Sequence, residues 1–341
     1  MTTRKPFIRR RGDRSQFVRR TFQAAFLLLN VWIGVRFYFF VRHFESGGAT
    51  IAVPRPPGVE GWLPIAGLMN LKYFLVTGRV ADVHPAAMFL LLAFVAVSIA
   101  FRKAFCSWLC PVGTISEWLW QGGRAIFGRN LALPRWLDIP LRGLKYVLLG
   151  FFLWAIVAMP ASELAGFMTS PYGLLADVKM LNFFRELGTI GASVILGVVV
   201  LSVFVKNAWC RYLCPYGALL GLAALPSPTR IRRDPHACID CAKCTKACPS
   251  LLPVDKLLVV KSAECTGCFE CVAVCPAKGA LDLGVSRKRQ VPLAAAAVGI
   301  ALIFLALVSL ARVTGHWHTP LPDAVYFELI PKVNGFAHPG M

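Results

Sequence analysis

Val291-Pro-Leu-Ala-Ala-Ala-Ala-Val-Gly-Ile-Ala-Leu-Ile-Phe-Leu-Ala-Leu-Val-Ser-Leu-Ala311 runs for 21 residues without a charge. A bilayer core about 30 Å thick needs about 20 apolar residues of helix to cross it, and this stretch supplies them. Four more stretches meet or approach that length: Thr21–Val41, Pro85–Phe101, Tyr146–Ser162 and Thr189–Val205. The chain is 57% apolar with mean hydropathy +0.60. One such run would suit a buried helix of a soluble core, but five in 341 residues describe a membrane protein. The expected fold is an all-α integral membrane bundle of about five transmembrane helices.

The net charge of +20 fits that architecture better than it fits nucleic acid. Five spans place 28 Lys and Arg on one side, in 1–20, 102–145 and 206–290. Only 8 lie on the other, in 42–84, 161–188 and 312–341, and Arg36 falls inside the first span. By the positive-inside rule the richer side is cytoplasmic, which puts the N-terminus inside and the C-terminus in the periplasm of a bacterial inner membrane. No basic helix with stacking aromatics accompanies the charge, so nucleic acid is not an expected partner. Arg4, Lys5, Arg9, Arg10 and Arg11 resemble the start of a signal peptide, but the apolar stretch after them is too long and lacks a small-x-small cleavage site. It reads as a retained first helix.

All twelve cysteines fall on the basic side. Eight form two runs, Cys238-x2-Cys241-x2-Cys244-x3-Cys248-Pro249 and Cys265-x2-Cys268-x2-Cys271-x3-Cys275-Pro276. This doubled spacing is the bacterial two-cluster ferredoxin pattern, in which three cysteines of a run hold one iron–sulfur cluster and the fourth crosses to the other. Cys238, Cys241, Cys244 and Cys275 then hold one [4Fe–4S] cluster, and Cys265, Cys268, Cys271 and Cys248 the second. Thiolate is the soft ligand such clusters require. Zinc is the alternative for C-x2-C spacing, though it rarely uses three thiolates this close together followed by C-P. An insert of some 55 residues is too small for a full core, so its clusters would contribute much of its folding energy.

The other four cysteines belong to a repeat. Phe101-Arg-Lys-Ala-Phe-Cys-Ser-Trp-Leu-Cys-Pro-Val-Gly113 aligns without a gap with Val205-Lys-Asn-Ala-Trp-Cys-Arg-Tyr-Leu-Cys-Pro-Tyr-Gly217, and each copy follows a span. The first four spans therefore read as two parallel helix–loop–helix units, with both C-x3-C-P motifs at one depth. On a continuous helix Cys106 and Cys110 share a face, as do Cys210 and Cys214. Four converging thiolates suit a third cluster or another metal centre; a redox thiol set and inert packing remain as alternatives. Residues 114–127 read as an amphipathic interfacial helix, and Pro226, Pro228 and Pro235 break the chain ahead of the insert. The domain reading is a basic N-terminus over 1–20, a four-span bundle over 21–218, a linker and α+β two-cluster insert over 219–290, a final span over 291–311 and a periplasmic tail over 312–341.

Histidines mark the opposite side. His43, His84, His316 and His318 lie near outer span ends, where they suit metal, haem or a quinol proton, or simply the interface. Arg36 inside a span is a functional candidate or a snorkelling side chain. Together with His84, His316 and His318 it forms the candidate quinone-site set.

Taken together, the paired C-x3-C-P motifs, the two-cluster insert and the final helix resemble the NapH-type membrane polyferredoxins over roughly residues 20–312. They resemble also the membrane parts of nitrous oxide reductase maturation proteins and of an oxidase assembly protein with copper-reductase activity. The resemblance implies two [4Fe–4S] clusters, contact with membrane lipid and the quinone pool, and a partner oxidoreductase or cytochrome. It implies a quinol-linked electron-transfer subunit; the alternative is a copper reductase or assembly factor for a respiratory enzyme. Seven scattered methionines with no M-x2-M or M-x3-M pair in an outer loop offer no obvious copper relay.

Overall fold

The computed structural model describes Ile8, residues 15–286 and residues 289–339. The basic residues Arg4, Lys5 and 9–11, read above as part of the N-terminal segment, lie outside the described residues. Most of the described chain is helical. Helices α1 (Ser15–Glu45), α2 (Pro64–Thr77), α3 (Pro85–Phe101), α4 (Phe105–Trp108) and α5 (Pro111–Phe127) come first. They are followed by α6 (Arg135–Ala158), α7 (Ala161–Thr169), α8 (Pro171–Leu174), α9 (Ala176–Arg185) and α10 (Thr189–Phe204). A wide π turn at Trp209–Leu213 leads into α11 (Pro215–Ala223). Strand β1 (Arg230–Arg233), α12 (Lys243–Ala247), α13 (Glu270–Ala273) and β2 (Leu281–Gly284) form the insert, and α14 (Leu293–Val313) and α15 (Asp323–Leu329) complete the chain.

Among the described residues three helices are long and apolar enough to cross a membrane: α1, α6 and α14. Helices α9 and α10 together pass the same test but are bent by 82° at their break, and α3 is apolar over 17 residues. At 1.5 Å per residue α3 reaches about 26 Å, a little short of the hydrocarbon thickness. A residue with positive φ follows soon after each of these shorter helices, Arg102 (φ 62°) and Asn207 (φ 49°), and turns the chain into the C-x3-C-P motif. Helix α6 begins at Arg135, not near Tyr146 as hydropathy alone suggests. Its polar first turns are held by Asp138, which accepts hydrogen bonds from Arg142 (2.5 Å) and Tyr212 (2.7 Å). Pro140 stands inside this helix and leaves the Trp136 carbonyl without its ladder bond, and Pro160 stops the helix soon after Ala158.

The packing divides the chain into two compact units. The first holds residues up to Leu27, Phe94–Leu149 and Gly197–Ile303, and with them all twelve cysteines. Its two strands pair antiparallel, Arg230 opposite Gly284 and Arg233 opposite Leu281, and bracket both cysteine runs. Ile231, Leu281 and Leu283 are buried, as is Trp108 beneath the second run. The second unit holds Leu28–Ala93, Gly150–Leu196 and the chain from Phe304 onward. There Phe37, Phe40, Val41 and Phe44 of α1 pack with Val59, Leu175, Val178, Tyr326 and Ile330. A second cluster joins Met69, Val83, Ile156, Leu164 and Met168. Lys72 caps the end of α6, donating to the carbonyls of Ile156 (2.9 Å), Val157 (3.0 Å) and Met159.

Candidate cysteine centres

The two ferredoxin runs are built alike. Left-handed residues stand at corresponding positions, Asp240 (φ 53°) with Gly267 (φ 60°) and Ala242 (φ 54°) with Phe269 (φ 59°). Alternating left-handed residues curl a loop so that its N–H groups gather on the inner side, the geometry of an anion-binding nest. A one-turn helix, α12 or α13, follows each loop and carries Cys244 or Cys271. Backbone N–H groups reach the sulfurs: those of Ser250 and Leu252 approach Cys248, that of Thr245 approaches Cys244, and that of Glu270 approaches Cys268.

Two cavities of equal size result. Cys248, Cys265, Cys268 and Cys271 line the first, with Phe269, Ile231 and Val260 among the residues closing it. Cys238, Cys241, Cys244 and Cys275 line the second, beside Arg233, Lys243 and Asp255. Each cavity thus has three cysteines from one run and the last cysteine of the other. Cys248 and Cys271 of the first set are buried, whereas Cys241 of the second is exposed. Burial raises the thiols of Cys271 and Cys248, and pushes Cys268 up to about 12. No two of the twelve cysteines are joined by a disulfide. Among the described residues no three His, Cys, Asp or Glu side chains are grouped to hold a single metal ion. Equal cavities, soft sulfur donors and inward N–H groups fit a larger anionic occupant, a cubane iron–sulfur cluster.

The membrane-end motifs differ from the continuous helix expected above. Cys106 lies in α4, but Cys110 is extended (φ −72°, ψ 118°) and caps α5, with Pro111 in its first turn. Cys214 is likewise extended (φ −75°, ψ 105°) and caps α11 ahead of Pro215. Proline favours the first helical position and disfavours a helical residue before it, so C-P forces the break. Each capping sulfur accepts a backbone N–H, from Gly113 to Cys110 (3.4 Å) and from Gly217 to Cys214 (3.2 Å). The four thiols are close enough to raise one another electrostatically: Cys106 feels Cys110 and Cys214, and Cys210 feels all three others. Burial is the larger cause, and it holds Cys110 at about 11.

Buried charges that the sequence reading counted only as topology stand beside these sulfurs. Arg19 is fully buried and lies between Glu117 (2.5 and 2.6 Å) and Glu270 (2.9 Å), close enough to Cys268 to act on its charge. Lys145 and Tyr146 both donate to Glu264, the residue before Cys265. Lys103, also buried, acts on Cys106 together with Lys145. Nothing in a single sequence separates these cations from solvated ones except their nearness to the cysteines.

In the second unit His84 is buried, with Nε2 at 3.0 Å from the Gly173 carbonyl and Nδ1 at 3.1 Å from Arg55. Nδ1 also stands 3.6 Å from Glu60 Oε1, so the ring joins the Gly173 backbone to the Arg55–Glu60 pair. Arg55 also binds Glu60 (2.7 Å) and Asp177 (2.7 Å), and Thr319 donates to Glu60 (2.8 Å). Arg55, Glu60 and Asp177 had no motif to mark them. His316 lies against Phe89 (6.2 Å between rings), His318 is exposed and His43 contacts the Thr50 carbonyl. Arg36 sits over the Trp32 ring at 5.0 Å.

The fold and site define a class: a helical protein with membrane-length helices and paired ferredoxin loops. The 4Fe–4S dicluster domain family matches residues 230–276, and the 4Fe–4S binding domain family matches 83–134 and 187–233. YccM of Escherichia coli (strain K12), named as an electron transport protein, is 48% identical over 326 residues, covering 94% of this chain and 91% of its own. The ferredoxin-type protein NapH of the same organism is 28% identical over 52% of this chain and 61% of its own. The regulatory protein NosR of Pseudomonas aeruginosa is 28% identical over 54% of this chain and 25% of its own. No solved structure matches. The chain belongs to the family of YccM, among the ferredoxin-type relatives that include NapH.

Proposed function

We propose that the protein is an integral membrane electron carrier that connects the quinone pool with a partner oxidoreductase. Its ligand sets are Cys238, Cys241, Cys244 with Cys275, and Cys265, Cys268, Cys271 with Cys248. The observation that carries this reading is the composition of the two cavities, three cysteines of one run and the fourth of the other in each. A [4Fe–4S] cluster supplies one-electron exchange without bond making or breaking. The chain holds the donors in place with left-handed loops, directs N–H groups at sulfur, and screens the Cys248 and Cys271 side from water.

Cys106, Cys110, Cys210 and Cys214 form a third centre in this reading. The two segments matched as a 4Fe–4S binding domain contain no other cysteines. That one family matches both segments also supports the repeat. The capping geometry puts the N-terminus of α5 at Cys110 and that of α11 at Cys214, which favours negative charge there. The same reading takes all five apolar helices as spans, with α3 and α10 seated at their cytoplasmic ends by the motifs. It places the insert in the cytoplasm and the C-terminus in the periplasm, by the charge asymmetry.

Anaerobic purification with iron and sulfide counting, followed by electron paramagnetic resonance, tests this. About twelve irons per chain is expected, and about eight would remove the third cluster. Four or fewer in fully folded protein would sink the two-cluster reading. Copper at the membrane-end cysteines would favour the metal-handling alternative instead.

A further inference from the structure

Helices α1 and α14 enclose a groove of about 480 Å³. Ser15, Val18 and Phe22 form one wall, and on α14 Ala294, Ala297 and Ala301 leave room where longer side chains would fill it. Those alanines recur at helical spacing along one face. Both helices are long and apolar enough to cross a bilayer.

The other face of α1 belongs to a cysteine cavity. Gln16 donates to the Cys268 carbonyl at 3.0 Å. From Phe22, in the groove wall, an edge contact of 5.6 Å leads to Trp108, and a second of 5.9 Å leads to Phe269. Phe269 lines the Cys248, Cys265, Cys268 and Cys271 cavity, and Trp108 is pinned there by donating to the Gly267 carbonyl (3.0 Å). Apolar groove, aromatic path and four-cysteine cavity are therefore continuous.

We propose that this groove seats a membrane-dissolved quinone and is the point where its electrons enter or leave the Cys268 side of the protein. The proposal rests on the quinone-linked reading above and gives it a location. A lipid acyl chain would satisfy the lining, but would leave the aromatic path without a use. Oxidation of one quinol here removes two electrons, taken up singly by the two ferredoxin centres, and two protons, released to water; the reverse reaction takes the same numbers.

The test uses cluster-loaded, full-length protein in lipid nanodiscs, with an azido-quinone as photolabel and a reduced short-chain quinone as electron donor. Labelled peptides should come from 15–27 and 289–303. Ala294→Phe and Ala301→Phe, which fill the groove from its open side, should each lower labelling and quinol-driven cluster reduction by about tenfold or more. Both should keep wild-type iron content and full reduction by dithionite. Trp108→Leu, on the aromatic path but outside the groove lining, should slow reduction at saturating quinol while leaving the labelling midpoint and the iron content unchanged. Labelling confined to 43–84 or 312–320, with quinol reduction intact in both Phe variants, would overturn the groove and leave the quinone reading standing. Wild-type protein whose clusters neither take electrons from quinol nor, once reduced by dithionite, give them to the oxidised quinone would remove the quinone reading, and the groove with it.

Discussion

Arg19→Met is the most demanding perturbation the structure suggests. The guanidinium is fully buried and donates to Gln16 (2.9 Å), to the Ser107 carbonyl (3.3 Å), twice to Glu117 and once to Glu270. Methionine keeps much of the volume and removes every one of these bonds. Taking one partner from a buried ion pair costs about 3–5 kcal/mol, because the other charge is left uncompensated. Here two carboxylates are stranded, so about 4 kcal/mol is a fair value, roughly a thousandfold in the equilibrium for local opening. Glu270 begins α13, which carries Cys271, so opening exposes that cavity directly. The assay is iron release to a chelator from anaerobic protein in detergent, whose rate should rise by roughly 10²–10³ if release follows local opening. Glu117→Gln in the Arg19→Met background should recover part of the loss, since it removes one stranded charge. Wild-type iron retention in Arg19→Met, or strictly additive losses in the double variant, would refute the reasoning.

Other consequences follow from neighbouring geometry. A Cβ on Gly113 would overlap the Cys106 carbonyl oxygen, whereas one on Gly217 would stand 3.5 Å from the Cys210 carbonyl. Gly113→Ala should therefore lower accumulation or empty the membrane-end site, and Gly217→Ala should resemble wild type by immunoblot and metal count. Cys248→Ala should damage the centre of Cys265, Cys268 and Cys271; resonance spectra showing loss only at the Cys238 set would contradict the crossing assignment. Burial pushes Glu60 up, but Arg55 and His84 outweigh it and hold the carboxylate at about 2 against an ordinary 4.5. Its folded value lies below the unfolded one, so its contribution of about 3 kcal/mol is present above pH 4.5 and lost as pH falls toward 2. Proteolysis of the 46–63 segment should accelerate across that window in wild type, and Glu60→Gln should flatten the profile.

Periodicity and spacing were enough for some elements and not for others. Pro85–Phe101 begins and ends where its apolar run does, because proline opens it and a charged pair follows. Helix α6 begins 11 residues ahead of the apolar run, since hydropathy does not register a polar turn held by Asp138, Arg142 and Tyr212. The eight ferredoxin cysteines announce themselves through spacing, as soft ligands on a short loop must. The C-x3-C-P pairs were visible as a repeat, but their capping role depends on what proline does to the preceding residue rather than on helical periodicity. Arg19, Lys103 and Lys145 contributed to the count of basic residues that set the orientation. Their burial depends on partners up to 251 residues away in the chain, which no local pattern encodes.

The exchange of the last cysteine between the runs also orders events during synthesis. The cavity of Cys238, Cys241 and Cys244 lacks a wall until Cys275 has been made, and that of Cys265, Cys268 and Cys271 borrows Cys248 from an earlier stretch. At about 5–20 residues per second, the chain from Cys248 to Cys275 takes on the order of seconds to appear. Throughout that interval the first run offers Cys238, Cys241, Cys244 and Cys248 without Cys275, and neither cavity has its full lining. If each centre takes the four cysteines that line its cavity, a chain stopped between the runs completes neither set, rather than one of the two.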